Sequence, residues 1–403
     1  MKFAHLADCH IGAWRDPKLR DANLKAFSKA IDVCIDKGVD FIVIAGDLFN
    51  TSLPSIDGLK TVVKRFKELK DKGINVYGVA GSHDFSPSGK TMLDVLEKAG
   101  LFVNVAKGEV VDGKLKLRFA IDKKTGAKIT GLLGKKGSLE RGYYEQLVRD
   151  NLEKEEGYKI FLFHSALTEF KPKELEKIDS HPLSLLPKNF NYYAGGHPHY
   201  IFDKKEEGYG IIAYPGPLFP NNFKEIEDLE RGGFYIVEDD KLEWQPIQIY
   251  NAHKLTVDCN HKTPEQIKEE ILSNIKGKEF YNTIVTIRLK GNLESGKVSD
   301  IGFKEIFSLL YDKSAYFVMK SAFLLKTKEF EEIKVDVDSI EEIEESLIKE
   351  HIGQIKVKDL TADKEAELTK KLMNALSIDK KEGEKVTDFE ARIKSEVDKI
   401  LGS

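Results

Sequence analysis

Several features are scarce in this 403-residue sequence, and each absence excludes a class of protein. No apolar run approaches the roughly 18 residues that a membrane-spanning helix requires, so we expect no membrane partner. The three cysteines, Cys9, Cys34 and Cys259, are too few and too widely spaced for a disulfide framework, and they indicate a reducing compartment, the cytoplasm. Neither sign of charge predominates, because 63 basic and 67 acidic residues leave a net charge of -4. Binding to a nucleic acid would therefore require a local basic surface.

What the sequence does contain is enough apolar material for a packed interior, because 41% of its residues are hydrophobic. Its length predicts two or three domains at about 150 residues per domain. The first half alternates short apolar runs, such as Phe41–Ala45 and Val76–Ala80, with segments of helical periodicity, such as Ala22–Lys37 and Ser55–Lys72. This alternation predicts an α/β domain with a largely buried sheet over residues 1–250. Further strands are predicted at Lys2–Ala7, Lys128–Leu133, Lys159–Phe163, Asn191–Ala194, Gly210–Ala213 and Gly233–Val237.

The remainder of the chain predicts two smaller parts. Residues 251–330 show a strand-helix-strand-helix-strand pattern that predicts a small α+β domain. Residues 331–403 begin with an acid-rich segment, Glu331–Glu350, which we interpret as a linker, and end in two amphipathic helices. Two short helices bury little apolar surface by themselves, so they either pack onto the rest of this chain or dock a partner. The small domain's strands are predicted at Ala252–Asp258, Thr283–Leu289 and Tyr316–Lys326, and its helices at Pro264–Ile275 and Phe303–Tyr311.

Side chains that bind metals or transfer protons follow five of the predicted strands. Because ligands bind at the carboxyl ends of strands in α/β sheets, we expect these side chains to converge at one edge. Five of the ten histidines belong to this set, and we interpret His5, His181, His253, His261 and His351 as structural or surface residues. In chain order the set is Asp8 and His10, then Asp47, then Ser82, His83 and Asp84, then His164, and finally His197 and His199.

Carboxylate and imidazole ligands together suit borderline divalent ions, such as manganese, iron or zinc, better than calcium or magnesium. The Asp47 carboxylate can bridge two such ions, which would position and deprotonate water and stabilise a phosphate displacement. His83 lies next to the ligands in the sequence and is the natural general acid for the leaving group, with Asp84 placed to orient it.

This order of motifs resembles the calcineurin-like metallophosphoesterase superfamily, whose motifs run D-x-H, G-D, G-N-H-[D/E], H and G-H-x-H. Within the superfamily the chain is most similar to the nucleases that repair DNA double-strand breaks in meiotic recombination, SbcD-like in bacteria. The run Ile44-Ala45-Gly46-Asp47-Leu48-Phe49 is typical of that branch. The resemblance covers nearly the whole chain and is most specific over residues 1–220.

The resemblance implies a fold, a metal centre and partners. The fold would be a metallophosphoesterase β-sandwich core flanked by helices, a small α+β capping domain for DNA and a C-terminal helix pair that docks an ATPase. Two divalent ions, manganese in this family, would be bound in each subunit. Nuclease action on DNA ends, a homodimer and a coiled-coil ABC-type ATPase partner (SbcC-like) are implied as well. By motif, Asp8, His10 and His199 would bind the first ion, His164 and His197 would bind the second, Asp47 would bridge them, and His83 would be the catalytic acid.

Two positions depart from the family pattern. Ser82 stands where the motif has asparagine, a ligand of the second ion, and a serine hydroxyl would reach that metal only through water. Asn50 stands where close relatives have a histidine that helps to place phosphate or metal-bound water. Both changes touch the second ion, so we expect that ion to bind more weakly than the first.

The basic residues Lys135, Lys136 and Arg141 are candidates for contacts with a DNA backbone, with a solvated surface as the alternative. Two rival functions remain open at this point. The same metal ions could serve a phosphodiesterase or phosphatase that acts on other substrates, although such enzymes can be complete without the two C-terminal parts. A DNA-end-binding scaffold with weakened catalysis is the second rival, and the changes at Ser82 and Asn50 are its support.

Overall fold

A computed structural model describes residues 1–86, 91–135, 137, 139–326, 361–376, 378 and 386–401. The chain divides into two compact units, Met1–Thr327 and Lys328–Ser403. The helices of the first unit are α1 (Pro17–Asp36), α2 (Ile56–Asp71), α3 (Met92–Lys98), α4 (Arg141–Glu145), α5 (Asp150–Glu153), α6 (Phe223–Leu229), α7 (Pro264–Ile275) and α8 (Phe303–Asp312), with short 3-10 turns at Thr168–Phe170, Lys173–Leu175, Leu183–Leu185 and Val298–Ile301.

All eleven predicted strands are present in the first unit, and Phe41–Ala45 has the predicted bounds. The strands of this unit are β1 (Lys2–Leu6), β2 (Phe41–Ala45), β3 (Asn75–Val79), β4 (Val103–Asn104), β5 (Gly108–Val111), β6 (Lys114–Leu117), β7 (Ala120–Ile121), β8 (Lys128–Gly131), β9 (Lys159–His164), β10 (Ala166–Leu167), β11 (Ser180–His181), β12 (Tyr192–Gly196), β13 (Ile201–Glu206), β14 (Gly210–Pro215), β15 (Gly232–Glu238), β16 (Lys241–Ile247), β17 (Asn251–Asp258), β18 (Thr283–Asn292) and β19 (Ala315–Lys326). Eight of these strands were not predicted: β4, β5, β6, β7, β10, β11, β13 and β16.

Two six-stranded sheets form the main body of this unit. One sheet has the order β16-β15-β1-β2-β3-β4 and the other β13-β14-β12-β9-β8-β7. In the first sheet β1, β2, β3 and β4 run parallel, and in the second β14, β12, β9 and β8 run parallel. A parallel sheet needs cover on both faces. The central strand β2 is accordingly apolar and buried along its whole length, Phe41–Ala45.

Alternate residues of the strands serve two different cores. Phe3, Phe41 and Tyr77 point into the layer between the sheets, where they pack with Ile160 and Tyr192 of the second sheet. Their neighbours in the sequence point to the opposite face. The two sheets therefore pack face to face, as the predicted β-sandwich requires.

Helices cover the outer face of the first sheet. Ala4, Ile42 and Ile44 of the strands pack there with Phe27 of α1 and Phe66 of α2. The structure begins α1 at Pro17, five positions before the predicted Ala22. Asp16 is the reason, because its side chain caps the helix by accepting from the Lys18 backbone N–H at 2.8 Å, and proline suits the first helical turn.

The small sheet, β17-β18-β19, is entirely parallel and has its own core with α7 and α8. It lies in the same compact unit as the sandwich. The Tyr250 and Tyr316 rings stack at a centroid distance of 3.7 Å, and the Tyr316 hydroxyl donates to the Lys18 carbonyl of α1 at 2.8 Å. The division of this unit into two domains at residue 250 stays a prediction.

The second unit contains the helices Ala362–Leu376 and Val386–Leu401, which contact each other. They correspond to the predicted amphipathic pair, and their apolar residues Leu368, Leu372 and Ile393 are half-buried. The acid-rich segment predicted as a linker lies outside the described residues. Within the part of the chain that the structure describes, no helix is both long and apolar enough to cross a membrane.

Candidate metal centre

The predicted ligands meet where the parallel strands of the two sheets end. His164, the last residue of β9, places its Nδ1 2.8 Å from the Ala45 carbonyl at the end of β2. The backbone N–H of His197, just after β12, donates to both oxygens of Asp8, just after β1, at 3.0 and 3.1 Å. Hydrogen bonds therefore join the carboxyl ends of strands from both sheets, and the convergence expected from the sequence is observed.

Four of these residues adopt backbone angles that side chains other than glycine rarely take. The φ angle is 49° at Asp8, 41° at His10, 52° at Asp47 and 94° at His197. Such left-handed conformations cost free energy, and they cluster at functional sites where the surrounding structure enforces them. The strand ends therefore turn sharply and direct these side chains into one place.

Asp47 lies at the centre of the cluster. Its Oδ2 is 3.1 Å from His164 Nε2 and 3.5 Å from His10 Nε2, and the Ser82 hydroxyl donates to it at 3.4 Å. Its Oδ1 accepts the backbone N–H of His83 at 2.7 Å. One oxygen of this buried carboxylate thus lies close to histidine nitrogens from two different strand ends, as a shared ligand would.

Glycines leave the space that Asp47 and His164 occupy. A Cβ at Gly81 would lie 2.2 Å from Asp47 Oδ1, and one at Gly46 would lie 2.2 Å from His164 Nδ1. A Cβ at Gly196 would lie 2.1 Å from the Ala45 carbonyl oxygen. Any larger residue at these positions would displace a ligand or the backbone that holds it.

A second set of ligands surrounds Asp8. His10 Nε2 and His199 Nε2 are 3.0 Å apart, and His199 Nε2 is 3.8 Å from Asp8 Oδ1. Among the described residues, three groups bring their donor atoms within 4.8 Å of one another: Asp8, His10 and His199; His10, Asp47 and His83; and Asp8, Asp47 and His164. The first group matches the set predicted for the first ion, and the groups share members, as they would around two neighbouring ions.

His197 has a looser position than the other predicted ligands. Its ring packs against the His164 ring with centroids 5.2 Å apart, but it belongs to none of the three groups. Its role as a ligand of the second ion stays a prediction.

Burial shifts the pKa values of the groups in this cluster. Burial raises the pKa of Asp8 to about 6 and lowers the pKa of His10 to about 3. Burial alone would lower the pKa of His164, but the charge of Asp47 outweighs it and raises that pKa to about 10. Burial lowers the pKa of His197 to about 4. Desolvation therefore acts against every charged group here, and a bound cation would relieve it for the carboxylates.

His83 is oriented by a backbone carbonyl. Its Nδ1 lies 2.8 Å from the Asn50 carbonyl oxygen, and its ring packs edge to face against His10 with centroids 4.7 Å apart. Because a carbonyl only accepts, Nδ1 carries the proton, and Nε2 is left to face the cluster. A side-chain role for Asn50 in placing phosphate stays a prediction.

The structure assigns Asp84 a role different from the predicted one. Its carboxylate accepts three backbone N–H groups, from Leu48 at 3.1 Å, Phe49 at 2.9 Å and Gly81 at 3.1 Å. These bonds tie the loop after β2 to the loop after β3. The prediction that Asp84 orients the His83 side chain is therefore wrong, because the Asp84 carboxylate binds backbone N–H groups instead.

Two of the three basic residues that the sequence suggested for DNA contact other side chains of this chain. The Lys135 ammonium donates to the Tyr143 hydroxyl at 2.6 Å and lies 5.4 Å from the centre of the Phe85 ring, which follows the His83 loop. Arg141 is exposed and pairs with Glu145 at 3.0 Å. Lys136 lies outside the described residues. DNA contacts by these three residues stay a prediction.

Sequence reasoning missed Glu225. Its Oε1 accepts from His199 Nδ1 at 2.9 Å, which leaves His199 Nε2 with its lone pair towards the cluster. Carboxylates behind a metal-binding histidine commonly fix its tautomer in this way. The sequence signal for the helix that carries Glu225 was Asn222, three positions earlier. The Asn222 side chain caps α6 by accepting from the Glu225 N–H at 2.9 Å.

The remaining histidines in the described part of the first unit support their interpretation as structural or surface residues. His5 is buried and its Nδ1 lies 2.9 Å from the Tyr192 hydroxyl, and His181 Nε2 lies 2.7 Å from the Ser165 hydroxyl. His253 packs against the Phe280 ring, and His261 is 92% exposed.

The residues present fit divalent ions. His164 Nδ1 is committed to the Ala45 carbonyl, so the buried Nε2, which lies 3.1 Å from Asp47 Oδ2, is the nitrogen left to ligate a cation. The 3.0 Å approach of His10 Nε2 and His199 Nε2, each with a lone pair in its neutral form, is the arrangement that a shared cation stabilises. Two carboxylates, Asp8 and Asp47, supply the negative charge.

Residues 1–200 match the family described as calcineurin-like phosphoesterases. The chain is 30% identical over 276 residues to the DNA double-strand break repair protein Mre11 of Methanopyrus kandleri. The matched residues are 64% of this chain and 59% of that protein, less than two thirds of its length. It is 26% identical to the Mre11 protein of Archaeoglobus fulgidus over 336 residues, 76% of this chain and 72% of that protein. For the Mre11 protein of Methanococcus maripaludis the identity is 26% over 368 residues, 87% of this chain and 91% of that protein.

Gly81→Ala tests the packing around Asp47. The added Cβ must push the Asp47 carboxylate away, so we expect the variant to fold but to lose Mn²⁺ binding at both sites, as measured by calorimetry. Gly142→Ala is the matched control, because a Cβ there meets no atom within 4 Å. Wild-type Mn²⁺ affinity in Gly81→Ala would show that Asp47 is not the shared ligand.

Proposed function

This chain belongs to the calcineurin-like metallophosphoesterases, in the Mre11- and SbcD-like branch, and from that premise we propose that it is a metal-dependent nuclease that processes DNA ends in double-strand break repair. The observation that carries the proposal is the position of Asp47, which belongs to two overlapping groups of possible metal ligands, one with His10 and His83 and the other with Asp8 and His164. That arrangement suits displacement at a phosphodiester.

We propose Mn²⁺ for both ions, because mixed carboxylate and imidazole ligands favour it. Asp8, His10 and His199 would hold the first ion, His164 and His197 the second, and Asp47 both. When bound, the ions supply a deprotonated water and stabilise charge on the phosphate oxygens. The protein's own part is to direct two of the histidine nitrogens, through the Ala45 carbonyl for His164 and through Glu225 for His199.

His83 is the proposed general acid. Its backbone N–H holds Asp47, whereas its side chain is held by the Asn50 carbonyl, which also stabilises the ring when it is protonated. Nε2 can then donate a proton to the leaving oxygen of the DNA strand. Asp84 supports this indirectly, because it joins the loops that carry Asp47 and His83.

The proposal separates the roles of Asp47 and His83 by experiment. We expect Asp47→Ala to lose Mn²⁺ binding together with degradation of end-labelled duplex DNA. We expect His83→Ala to keep both ions, since its backbone contact to Asp47 survives, while turnover falls about 10²–10⁴-fold.

Mn²⁺ titration beside the nuclease assay distinguishes the outcomes, with the exposed His261→Ala as a control. Loss of Mn²⁺ from His83→Ala would make His83 a ligand instead of an acid. Mn²⁺ binding without cleavage of DNA, but with hydrolysis of small phosphodiesters, would favour the rival enzyme, and binding to DNA ends without hydrolysis would favour the scaffold.

Ser82 predicts unequal metal sites. Its hydroxyl donates to Asp47 Oδ2 at 3.4 Å, and a serine side chain is shorter than the asparagine of the family motif. We expect two Mn²⁺ affinities by calorimetry and expect Ser82→Asn to tighten the weaker site about tenfold, the usual scale for a change in a metal's surroundings. Ser82→Ala, the matched control, should not tighten it. Two equally tight sites in the wild type would contradict this expectation.

We also propose a homodimer and an SbcC-like coiled-coil ABC-type ATPase partner. Leu53 and Ile56, before and at the start of α2, are 78% and 75% exposed, which supports an apolar contact between subunits there. The C-terminal helix pair supports the second partner, because Leu372 on one helix and Ile393 on the other remain half-buried after the helices pack together.

A charge on the helix pair should weaken the ATPase complex. In the full chain we expect Leu372→Asp with Ile393→Asp to reduce capture of the ATPase at least tenfold while nuclease activity on simple DNA is kept. Lys394→Asp, which changes charge at an exposed position, is the control. Undiminished capture by the double variant, with helicity retained by circular dichroism, would place the docking surface elsewhere.

A further inference from the structure

A single short helix, α6, contacts both the metal centre and the small sheet. Glu225 of α6 accepts from His199 Nδ1 at 2.9 Å. Glu227 of α6 accepts from Arg288, which lies on the middle strand of the small sheet, β18. Residues two apart on a helix are separated by about 200° around its axis. The two carboxylates therefore face nearly opposite directions, one towards the ligands and the other towards β18.

The contact between Arg288 and α6 is buried and has two parts. Arg288 Nε and Nη2 both donate to Glu227 Oε2, at 2.7 and 2.6 Å, and the Glu227 side chain is only 2% exposed. The Arg288 guanidinium also lies 4.9 Å from the centre of the Phe223 ring at the start of the same helix. A buried pair of this kind is strongly coupled, because removing one partner leaves the other charge without compensation.

The helix depends on such contacts for its orientation. Seven residues are too few for a helix to be stable by itself, so tertiary contacts decide how it sits. Ile226 is buried in the core on the outer face of the first sheet and fixes the position of the axis. On one side of that axis Glu225 is held by His199 and by the Asn221 N–H, and on the other side Glu227 is held by Arg288.

We propose that Arg288 is a positioning residue for the first metal ion: through α6 and Glu225 it holds His199 in its ligating orientation. The proposal rests on the metal centre proposed above. In this proposal the small sheet influences the metal site through α6 and does not supply a ligand to the ion. Because coupling between binding events is reciprocal, a substrate that moves the small sheet would change the affinity for the first ion, and the ion would change affinity for that substrate to the same extent.

The test is the Mn²⁺ affinity of the full chain in the absence of DNA, measured by calorimetry beside thermal unfolding. We expect Arg288→Met and Glu225→Gln each to weaken one Mn²⁺ site about tenfold and to leave the other unchanged. Because Arg288 acts through Glu225, the double variant should bind no more weakly than Glu225→Gln alone. Lys268→Met is the matched control, because it breaks the ion pair with Glu305 between α7 and α8 and leaves α6 untouched.

Unchanged Mn²⁺ affinity in Arg288→Met, or additive effects in the double variant, would overturn the proposal and make Arg288 a purely structural contact. If Arg288→Met does not fold, Arg288→Met with Glu227→Gln removes both charges from the buried contact and provides the same comparison. The nuclease proposal fails separately: wild-type protein that binds two Mn²⁺ ions and leaves DNA intact would contradict that proposal and not this one.

Discussion

The carboxylate of Asp47 is the group on which the rest of the structure depends. It is buried at the place where the two sheets meet, and a buried carboxylate is costly unless hydrogen bonds and opposite charge surround it. The His83 backbone N–H and the Ser82 hydroxyl supply the hydrogen bonds, and His164 and His10 face its second oxygen. The absence of a side chain at Gly81 leaves room for the carboxylate itself.

The loops that hold Asp47 are themselves fixed by another buried acid. Asp84 accepts backbone N–H groups from the loops after β2 and β3, so the loops that carry Asp47 and His83 are joined to each other. Left-handed backbone at Asp8, His10 and Asp47 adds a cost that these hydrogen bonds offset. Such rigidity suits a centre in which two ions must stay at a fixed separation.

Two of the candidate ligand histidines have a hydrogen-bond partner at their second nitrogen. The Ala45 carbonyl takes Nδ1–H of His164, and Glu225 takes Nδ1–H of His199. These partners differ in kind, because the first is backbone of the sandwich itself, whereas the second sits on a short helix that also carries the contact to the small sheet. A change in the small sheet would therefore affect the orientation of His199 more than that of His164.

Much of the site was readable from the sequence by itself. Asp8, His10, Asp47, His83, His164, His197 and His199 could be identified because apolar runs marked the strands, and each of these residues followed a strand end. Strand bounds such as Phe41–Ala45 and helix bounds such as Pro264–Ile275 were predictable for the same reason, since periodicity is a local property. The charged strand Ile201–Glu206 is among those missed, because only the first two of its six residues are apolar.

Only the tertiary structure decided which partner each polar group has. Asp84 is adjacent to His83 in the sequence, yet it bonds the backbone of Leu48 and Phe49, and the Asn50 carbonyl bonds His83 instead. A backbone carbonyl has no sequence signature, so no pattern could have assigned it this role. Glu225 and Arg288 escaped notice because their importance comes from contacts across 26 and 61 positions of chain, which exist only once the sheets have packed.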